Sequence, residues 1–373
     1  MASPKETVLV IGGTGAQGAA VVKELSLSNK YAIHVLTRTT TSASALSLSS
    51  LPDVTLIPGS PLNETDLHYS LAGISIVFVN LNGFAIGEKA EIYWGIRIFE
   101  IAAEKGVRHF IWGSLDSSYK TSGYHPRFRT GHFDGKAKVA DWISAQPKDG
   151  KMIWSVLTSC MYVEMLSEML RPVPEMIDGE EVMVFKAPVG HGEPPFIYLS
   201  DLGRYARWMV ENPEESRGLN LRIATESVGW EGVTKAFSEV TGKKAIFRDI
   251  TLDEYFASGV FPDPDVKVGH SVGHDDETLQ TYRQNFSGFW NSWKESILQR
   301  DYELLDRILP ERVKSVNDFV IIPKSSTNTP PPSPHNPPLT LSPAFQSVKI
   351  GTANPKAQVP DLAIAKILFS IPI

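Results

Sequence analysis

From residue 7 the chain alternates short, nearly continuous apolar runs with longer stretches whose apolar positions recur every three or four residues. The runs are TVLVI (7–11), AIHVLTR (32–38), VTLIPG (54–59), ISIVFVN (74–80), RHFIWGS (108–114) and WSVLTS (154–159). Between them stand AAVVKELSLS, EIYWGIRIFEIAAEKG and KAKVADWISAQ, which have helical spacing, while the Ser/Thr-rich stretch after Arg38 reads as a connection. Strands covered on both faces read as unbroken apolar runs, and such runs separated by amphipathic helices build βαβ units. The pattern predicts an α/β protein with a doubly wound, mostly parallel sheet.

After about residue 165 the rhythm changes. In MLRPVPEM (169–176), Pro172 and Pro174 interrupt a helical stretch; GEPPFIYLSDLGRYARWMVENP (192–213) reads as a strand turning into a helix, and GLNLRIAT (218–225) as another strand. WEGVTKAFSEVTG (230–242) has helical periodicity that stops at Gly242, and residues 280–320 read as further helices. Residues 1–160 are expected to form a nucleotide-binding domain. Residues 161–322 are expected to form a smaller α+β domain covering the sheet's carboxyl edge, with strands returning to the main sheet. Residues 323–373 form a Pro/Ser-rich tail: PKSSTNTPPPSPHNPPLTLSP cannot bury enough apolar surface to offset ordering, and disorder is expected from Pro323 to about Asp361.

Composition narrows the function classes. A net charge of -6 over 373 residues gives no basic footprint, so direct nucleic-acid binding is not expected. The single cysteine, Cys160, allows no internal disulfide, and a reducing, cytoplasmic setting is the simpler expectation. The N-terminus has no signal-peptide pattern, and no apolar run approaches the roughly 18 residues of a membrane span.

The first apolar run leads into VLVIGGTGAQGAAVVKEL (8–25). Gly13, Gly15 and Gly18 fit GxGxxG, and Gly12, Gly15 and Gly18 fit GxxGxxG, between a strand and a helix. Glycine there permits a sharp turn, close approach of a pyrophosphate to the backbone, and tight packing of helix on strand. With this turn the predicted sheet is of the Rossmann type. About 20 residues beyond such a turn, an NAD site places a carboxylate for the ribose 2′-OH. Here Thr37 and Arg38 stand instead, and an arginine pairs with a 2′-phosphate, so NADP is expected over NAD.

With the glycine turn, Arg38, FIWGSLDS, GHFDGKAKVADWI, SCMYVEM, the segment PPFIYLSDLGRYARWMVENPEESRGLNLRIATE, AFSEVTGKKAIF and RDYELLDRILPERVKSVNDFV, the chain resembles the NmrA-like family of atypical short-chain dehydrogenases over residues 5–322. The resemblance implies NADP contacts from Gly12, Gly13, Thr14, Gly15, Ala16 and Gln17 in the turn, and from Arg38. It also implies contacts from Asn80 and Asn82 after the fourth strand, from Lys136, and from Tyr162 and Glu164. Ser60 stands where the family commonly places an aspartate on the adenine amine, and Met165 where it often has asparagine. Some relatives reduce small aromatic or polyketide-like metabolites; others bind NADP and act as redox-sensing regulators.

Short-chain dehydrogenases commonly pair a proton-donating tyrosine with a lysine four residues on and a serine at the end of the fifth strand. The matching residues are His132, Lys136 and Ser114. Spacing of i, i+4 puts His132 and Lys136 on one helical face. Imidazole titrates near neutrality, so His132 is a candidate general acid, although a nearby ammonium favours its neutral form. Tyr119, Tyr124 and His125 are alternative donors; Cys160 reads as a small buried hydrophobe. The glycines in GHSVGHDDE, which holds His270, His274, Asp275, Asp276 and Glu277, argue against an aligned metal site, and no metal is expected. The stripe FSGFWNSW (286–293) reads as core or as the wall of a pocket for a bulky apolar substrate. The expected function is an NADP-dependent oxidoreductase acting on an apolar carbonyl or activated double bond, with secondary metabolism implied by the resemblance. The alternative is a non-catalytic NADP sensor whose Pro-rich tail docks a protein partner. A nucleotide-sugar epimerase or dehydratase is the weaker third reading, because position 132 lacks the tyrosine.

Overall fold

The computed structural model describes residues 4–317 apart from 168, 270 and 272–275. The Pro-rich tail, together with His270, His274 and Asp275 of the loop weighed for metal binding, lies outside the described residues.

Six strands stand where the apolar runs do: β1 (Glu6–Ile11), β2 (Tyr31–Thr37), β3 (Val54–Pro58), β4 (Ile76–Val79), β5 (His109–Ser114) and β6 (Ile153–Thr158). A seventh, β7 (Asn220–Arg222), comes back from the C-terminal half and pairs with β6. The order is β7-β6-β5-β4-β1-β2-β3 with every pairing parallel, so the sheet is doubly wound and its strand order reverses at β1 and β4. That reversal opens a crevice at the carboxyl edge.

The helices that matter for the site are α1 (Ala16–Ser28), α2 (Gly83–Glu104), α3 (Gly131–Ser144), α4 (Leu199–Glu211), α5 (Leu252–Ala257) and α6 (Tyr282–Lys294). Successive side chains of a strand point to opposite faces. Val8 and Val10 of β1 accordingly pack with Val21, Val22 and Leu25 of α1 and Leu202, Ala206 and Met209 of α4, while Leu9 and Ile11 pack with Ile98 and Ala102 of α2 and Val139 and Ile143 of α3. Burial on both faces is why β1 reads as an unbroken apolar run. A third, aromatic core around Trp230, Trp290 and Trp293 belongs to the region above the carboxyl edge.

Two expectations need correction. The stretch after Arg38 is not a bare connection: Ala43–Ser49 is helical, with the Ser42 hydroxyl accepting from the Ala45 amide at 3.3 Å. Serine's preference for caps hid a short helix inside a Ser-rich run. Second, the prolines at 172 and 174 introduce a strand. Val173–Ile177 forms a hairpin with Glu180–Ala187 through Asp178 (φ 51) and Gly179 (φ 82), the two left-handed residues that a tight hairpin turn requires. Pro174 is tolerated because its strand is at the edge of a three-stranded sheet completed by Ala245–Asp249.

Candidate active site

The glycine turn is shaped by close backbone approach. At Gly12 (φ +81) a Cβ would lie 2.0 Å from the Asn80 carbonyl oxygen, and at Gly18 it would lie 2.2 Å from the Gly12 carbonyl oxygen. Only glycine lets the turn press on the end of β4 and α1 press on the turn. Gly15 begins α1 without a side-chain cap, and the first turn carries no acidic residue. The amides of a helix's first turn lack intrahelical acceptors, so Ala16, Gln17 and Gly18 present donors and the positive end of the helix dipole at the carboxyl edge, while the Gly15 amide closes the turn on the Gly12 carbonyl at 3.0 Å. The cradle fits a pyrophosphate.

Gln17 turns its side chain inward instead. Its Nε2 donates to Ser159 Oγ at 3.0 Å and to Tyr162 Oη at 2.7 Å, tying α1 to the segment after β6, and its Oε1 is buried without a hydrogen-bond partner. Burial pushes the Tyr162 phenol well above its usual range.

Lys136 is buried behind the end of β4. Its ammonium donates to Asn80 Oδ1 (2.8 Å), the Leu81 carbonyl (2.7 Å) and Glu91 Oε1 (2.8 Å). An ammonium has three protons, and these partners take all of them. Glu91, on α2, is fully buried; burial raises its carboxyl pKa against the downward pull of Lys136, and its Oε2 has no hydrogen-bond partner. The Trp112 indole donates to the Lys136 carbonyl at 3.0 Å.

The remaining candidates separate into two places. Thr37 accepts from the Gly59 amide at 3.0 Å, which sets exposed Arg38 beside Ser60 at the far end of the edge. Among the described residues Arg38 makes no ion pair, and the Ser60 amide donates to Asp66 at 2.9 Å. Near the turn, Asn82 caps α2 by accepting from the Phe84 and Ala85 amides, and Ser114 donates to the Leu115 carbonyl at 3.1 Å. Glu164 accepts from the Leu199 amide at 3.0 Å, at the start of α4.

His132 faces an apolar cavity of about 540 Å³, its open mouth included, whose wall comes from α2, α3, α5, α6 and the segment after β6: Phe84, Leu115, Phe133, Cys160, Met161, Tyr162, Met165, Tyr255, Phe286 and Trp290 among others. The stripe of α6 is thus both core and cavity wall. The imidazole centroid is 4.4 Å from that of Phe84 and 5.7 Å from that of Phe286. Burial lowers its pKa to about 4, with Lys136 adding to the effect, so the ring is neutral at physiological pH. Asn285 holds the ring through Nδ1: its Oδ1 accepts from the His132 amide (3.2 Å) and is 3.0 Å from Nδ1, and its Nδ2 is 2.8 Å from Nδ1, so either tautomer finds a partner there. Burial raises the Cys160 thiol to about 12, which makes it an inert hydrophobe, and its Sγ donates to the Ile223 carbonyl at 3.4 Å. Tyr119, Tyr124 and His125 are not on the cavity wall: the two tyrosines stack edge-to-face on each other, and His125 caps Arg127.

Sequence reasoning missed Glu91, Asn285 and Tyr255. The first two had a signal: each is a polar residue inside an aromatic-rich, inward-facing helical stretch, EIYWG and NFSGFW. Among the described residues no group of three or more His, Cys, Asp or Glu could hold a metal ion, and no helix is long and apolar enough to cross a membrane.

The sequence signature of the NmrA-like family matches residues 4–285. An NmrA-like family domain-containing protein of Dictyostelium discoideum is 26% identical over 66% of this chain and 82% of its own length. The NmrA-like family domain-containing oxidoreductase hkm9 of Aspergillus hancockii is 25% identical over 69% of this chain and 78% of its own. Among solved structures, the negative transcriptional regulator NmrA in complex with NADP matches with a TM-score of 0.65 at 16% identity, covering 85% of this chain and 95% of that one. The NADPH-dependent quinone oxidoreductase QOR2 of Escherichia coli, complexed with NADPH, matches at 0.62 and 17% identity, covering 84% and 98%. These likenesses establish the shared fold.

Proposed function

We propose that this chain, which belongs to the NmrA-like family, is an NADP-dependent oxidoreductase that reduces a bulky, apolar carbonyl or enone compound. One observation carries the reading: Tyr162 is on the wall of the aromatic cavity, and its hydroxyl takes a hydrogen bond from Gln17, the second residue of the helix that the glycine turn opens. The nucleotide cradle and the apolar cavity are one hydrogen bond apart. NADP-bound and NADPH-bound proteins of the same fold support the choice of cofactor, and the family resemblance supports a substrate from secondary metabolism.

NADPH, when bound, supplies a hydride. The chain's residues have the other tasks. The first-turn amides of α1 hold the pyrophosphate and Arg38 pairs with the 2′-phosphate. Lys136 acts as a positioning residue: with its protons committed, it fixes Asn80 and Leu81, and Asn80 backs Gly12. Aromatic walls exclude water, which strengthens each polar contact made inside. Neutral His132, in the tautomer in which Asn285 Nδ2 donates to Nδ1, donates from Nε2 to an oxygen that gains negative charge, as a hydrogen-bond donor rather than an imidazolium acid.

The test is NADPH consumption with a panel of quinones, enones and aromatic ketones, for which turnover on at least one class is expected. Tight NADPH binding with no turnover on any class favours the second reading, a nucleotide-sensing regulator. That reading has its own support, since neither Lys136 nor His132 presents a free charged acid to the cavity. Arg38 has a separate test. NADP should bind at least tenfold tighter than NAD, and Arg38→Ala should remove the preference; equal affinities in the unmodified protein contradict the assignment.

A further inference from the structure

We propose that the Tyr255 hydroxyl, its oxygen backed by the Trp290 indole N–H, is the donor that anchors an acceptor oxygen of a flat aromatic ligand, a quinone or aryl ketone, in the apolar cavity. The inference rests on the reading of this cavity as the substrate site. Tyr255, on α5, and Trp290, on α6, are 5% and 1% exposed and both are on its wall. Tyr255 Oη and Trp290 Nε1 have no partner but each other: the indole N–H is directed at the phenol oxygen, which leaves the phenol proton without an acceptor. Of the wall's other polar side chains, Tyr162 is engaged with Gln17 and Cys160 with the Ile223 carbonyl, and His132 is engaged with Asn285 through Nδ1, which leaves its Nε2 for the reacting oxygen.

Burying a polar atom without a partner is costly, and native structures contain few such atoms. The phenol proton on the cavity wall is accounted for by a ligand oxygen that accepts it. The rings meet edge-to-face with centroids 5.3 Å apart, so the two groups share one patch of wall. An indole N–H only donates, and it acts to favour the ionised phenol of Tyr255, against the burial that raises its pKa. The complementary ligand atom is therefore an acceptor, a carbonyl or quinone oxygen. The rest of the ligand meets rings and thioethers, which suit a planar, apolar body.

Two probes of matched shape, 2-methyl-1,4-naphthoquinone and 2-methylnaphthalene, separate the oxygen from the ring system. Calorimetric titration of the full chain should give at least tenfold tighter binding of the quinone. Tyr255→Phe should remove about tenfold of the quinone affinity and leave the hydrocarbon affinity unchanged. The thermal midpoint of Tyr255→Phe should stay level or rise, because the variant deletes a buried hydroxyl whose proton has no acceptor. Equal affinities in the unmodified protein overturn the proposal. So does a Tyr255→Phe variant that binds both probes as before, or one that melts lower and loses both probes alike. If the quinone is selected and lost as stated but NADPH is never consumed, the oxidoreductase reading fails and the anchor stands. If NADPH is consumed and Tyr255→Phe changes nothing, the reading stands and the anchor fails.

Discussion

Two buried histidines have protonation states fixed by their neighbours. On β5, His109 Nε2 is 2.8 Å from Ser155 Oγ, whose own proton goes to the Ser216 carbonyl at 2.8 Å, so the serine accepts and His109 carries its proton on Nε2. Its Nδ1 is buried with no partner, and burial lowers the pKa to about 4, as it does for His132. Because the folded values are below the unfolded ones, the unfolded chain binds more protons between about pH 6.5 and pH 4. The stability these residues contribute is complete above about pH 6.5 and lost as pH falls toward 4, about 3 kcal/mol for each. Urea unfolding at pH 7.5 and pH 5 should show about 2 kcal/mol of that loss for each, and His109→Gln should reduce the pH slope by about one proton; an unchanged slope contradicts the assignment.

The Lys136–Glu91 pair supports a second prediction at this scale. Lys136→Met leaves the Glu91 carboxylate buried and alone and should cost about 3–5 kcal/mol, whereas Lys136→Met with Glu91→Leu should recover most of the loss. Denaturant midpoints of the single and double variants decide it, and a loss below about 1 kcal/mol in the single variant contradicts the pairing. The lysine is visible in the sequence from its spacing to His132. Its partners are not, because Asn80, Leu81 and Glu91 come from β4 and α2, and nothing local to α3 encodes them.

Among the elements, the strands of the main sheet are the legible ones. Strands β1 to β6 stand within a residue or two of the apolar runs that predict them; β4, β5 and β6 are buried at every position and leave no polar alternation to misread, while the edge strand β3 is partly exposed and is read from Val54, Leu56 and Ile57. Helix Trp230–Thr241 ends at Gly242 (φ 68), the left-handed stop read from the sequence. The Ala43–Ser49 helix and the Val173–Ile177 strand were hidden because their Ser and Pro residues mark caps, loops and edges alike. The glycine turn has the sharpest test at this scale. Gly12→Ala puts a methyl group into the Asn80 carbonyl at a positive φ, and should cost about 1–3 kcal/mol of stability and weaken NADP binding. Thermal melts with and without NADP check both effects, and a variant that melts and binds like the parent contradicts the close approach.

In the whole molecule, the two halves interlock rather than sit side by side. Strand β7 comes from the C-terminal half and extends the sheet next to β6. Arg300, buried after α6, donates to Asp116 after β5 at 2.7 Å and to the Ile223 carbonyl after β7 at 3.0 Å. Arg312 donates to the Thr225 carbonyl at 2.6 Å and to Asp306 at 2.7 Å, drawing the last described segment onto the same region. A strand returning to the main sheet is expected from the sequence, where GLNLRIAT reads as a strand, whereas the contacts of Arg300 and Arg312 have a reach that carries no signature in local periodicity. Unfolding should therefore be a single transition by both near-UV and far-UV circular dichroism, and Arg300→Ala should lower stability by about 2–4 kcal/mol by leaving buried Asp116 with only the longer, 3.7 Å contact to Arg222. Two resolved transitions in the unmodified protein contradict the interlock.

That architecture places a nucleotide cradle and an aromatic cavity on one edge of one sheet, and the central claim is that a hydride passes between them. Isotope transfer tests it most directly: NADPH carrying deuterium at C4 of the nicotinamide is incubated with the protein and a quinone or enone, and the product is analysed by mass spectrometry. Where the accepting atom is carbon, as in an enone, the account predicts one deuterium in the product, delivered from a single face of the nicotinamide. Saturating NADPH binding with no deuterium in any product across the panel contradicts it.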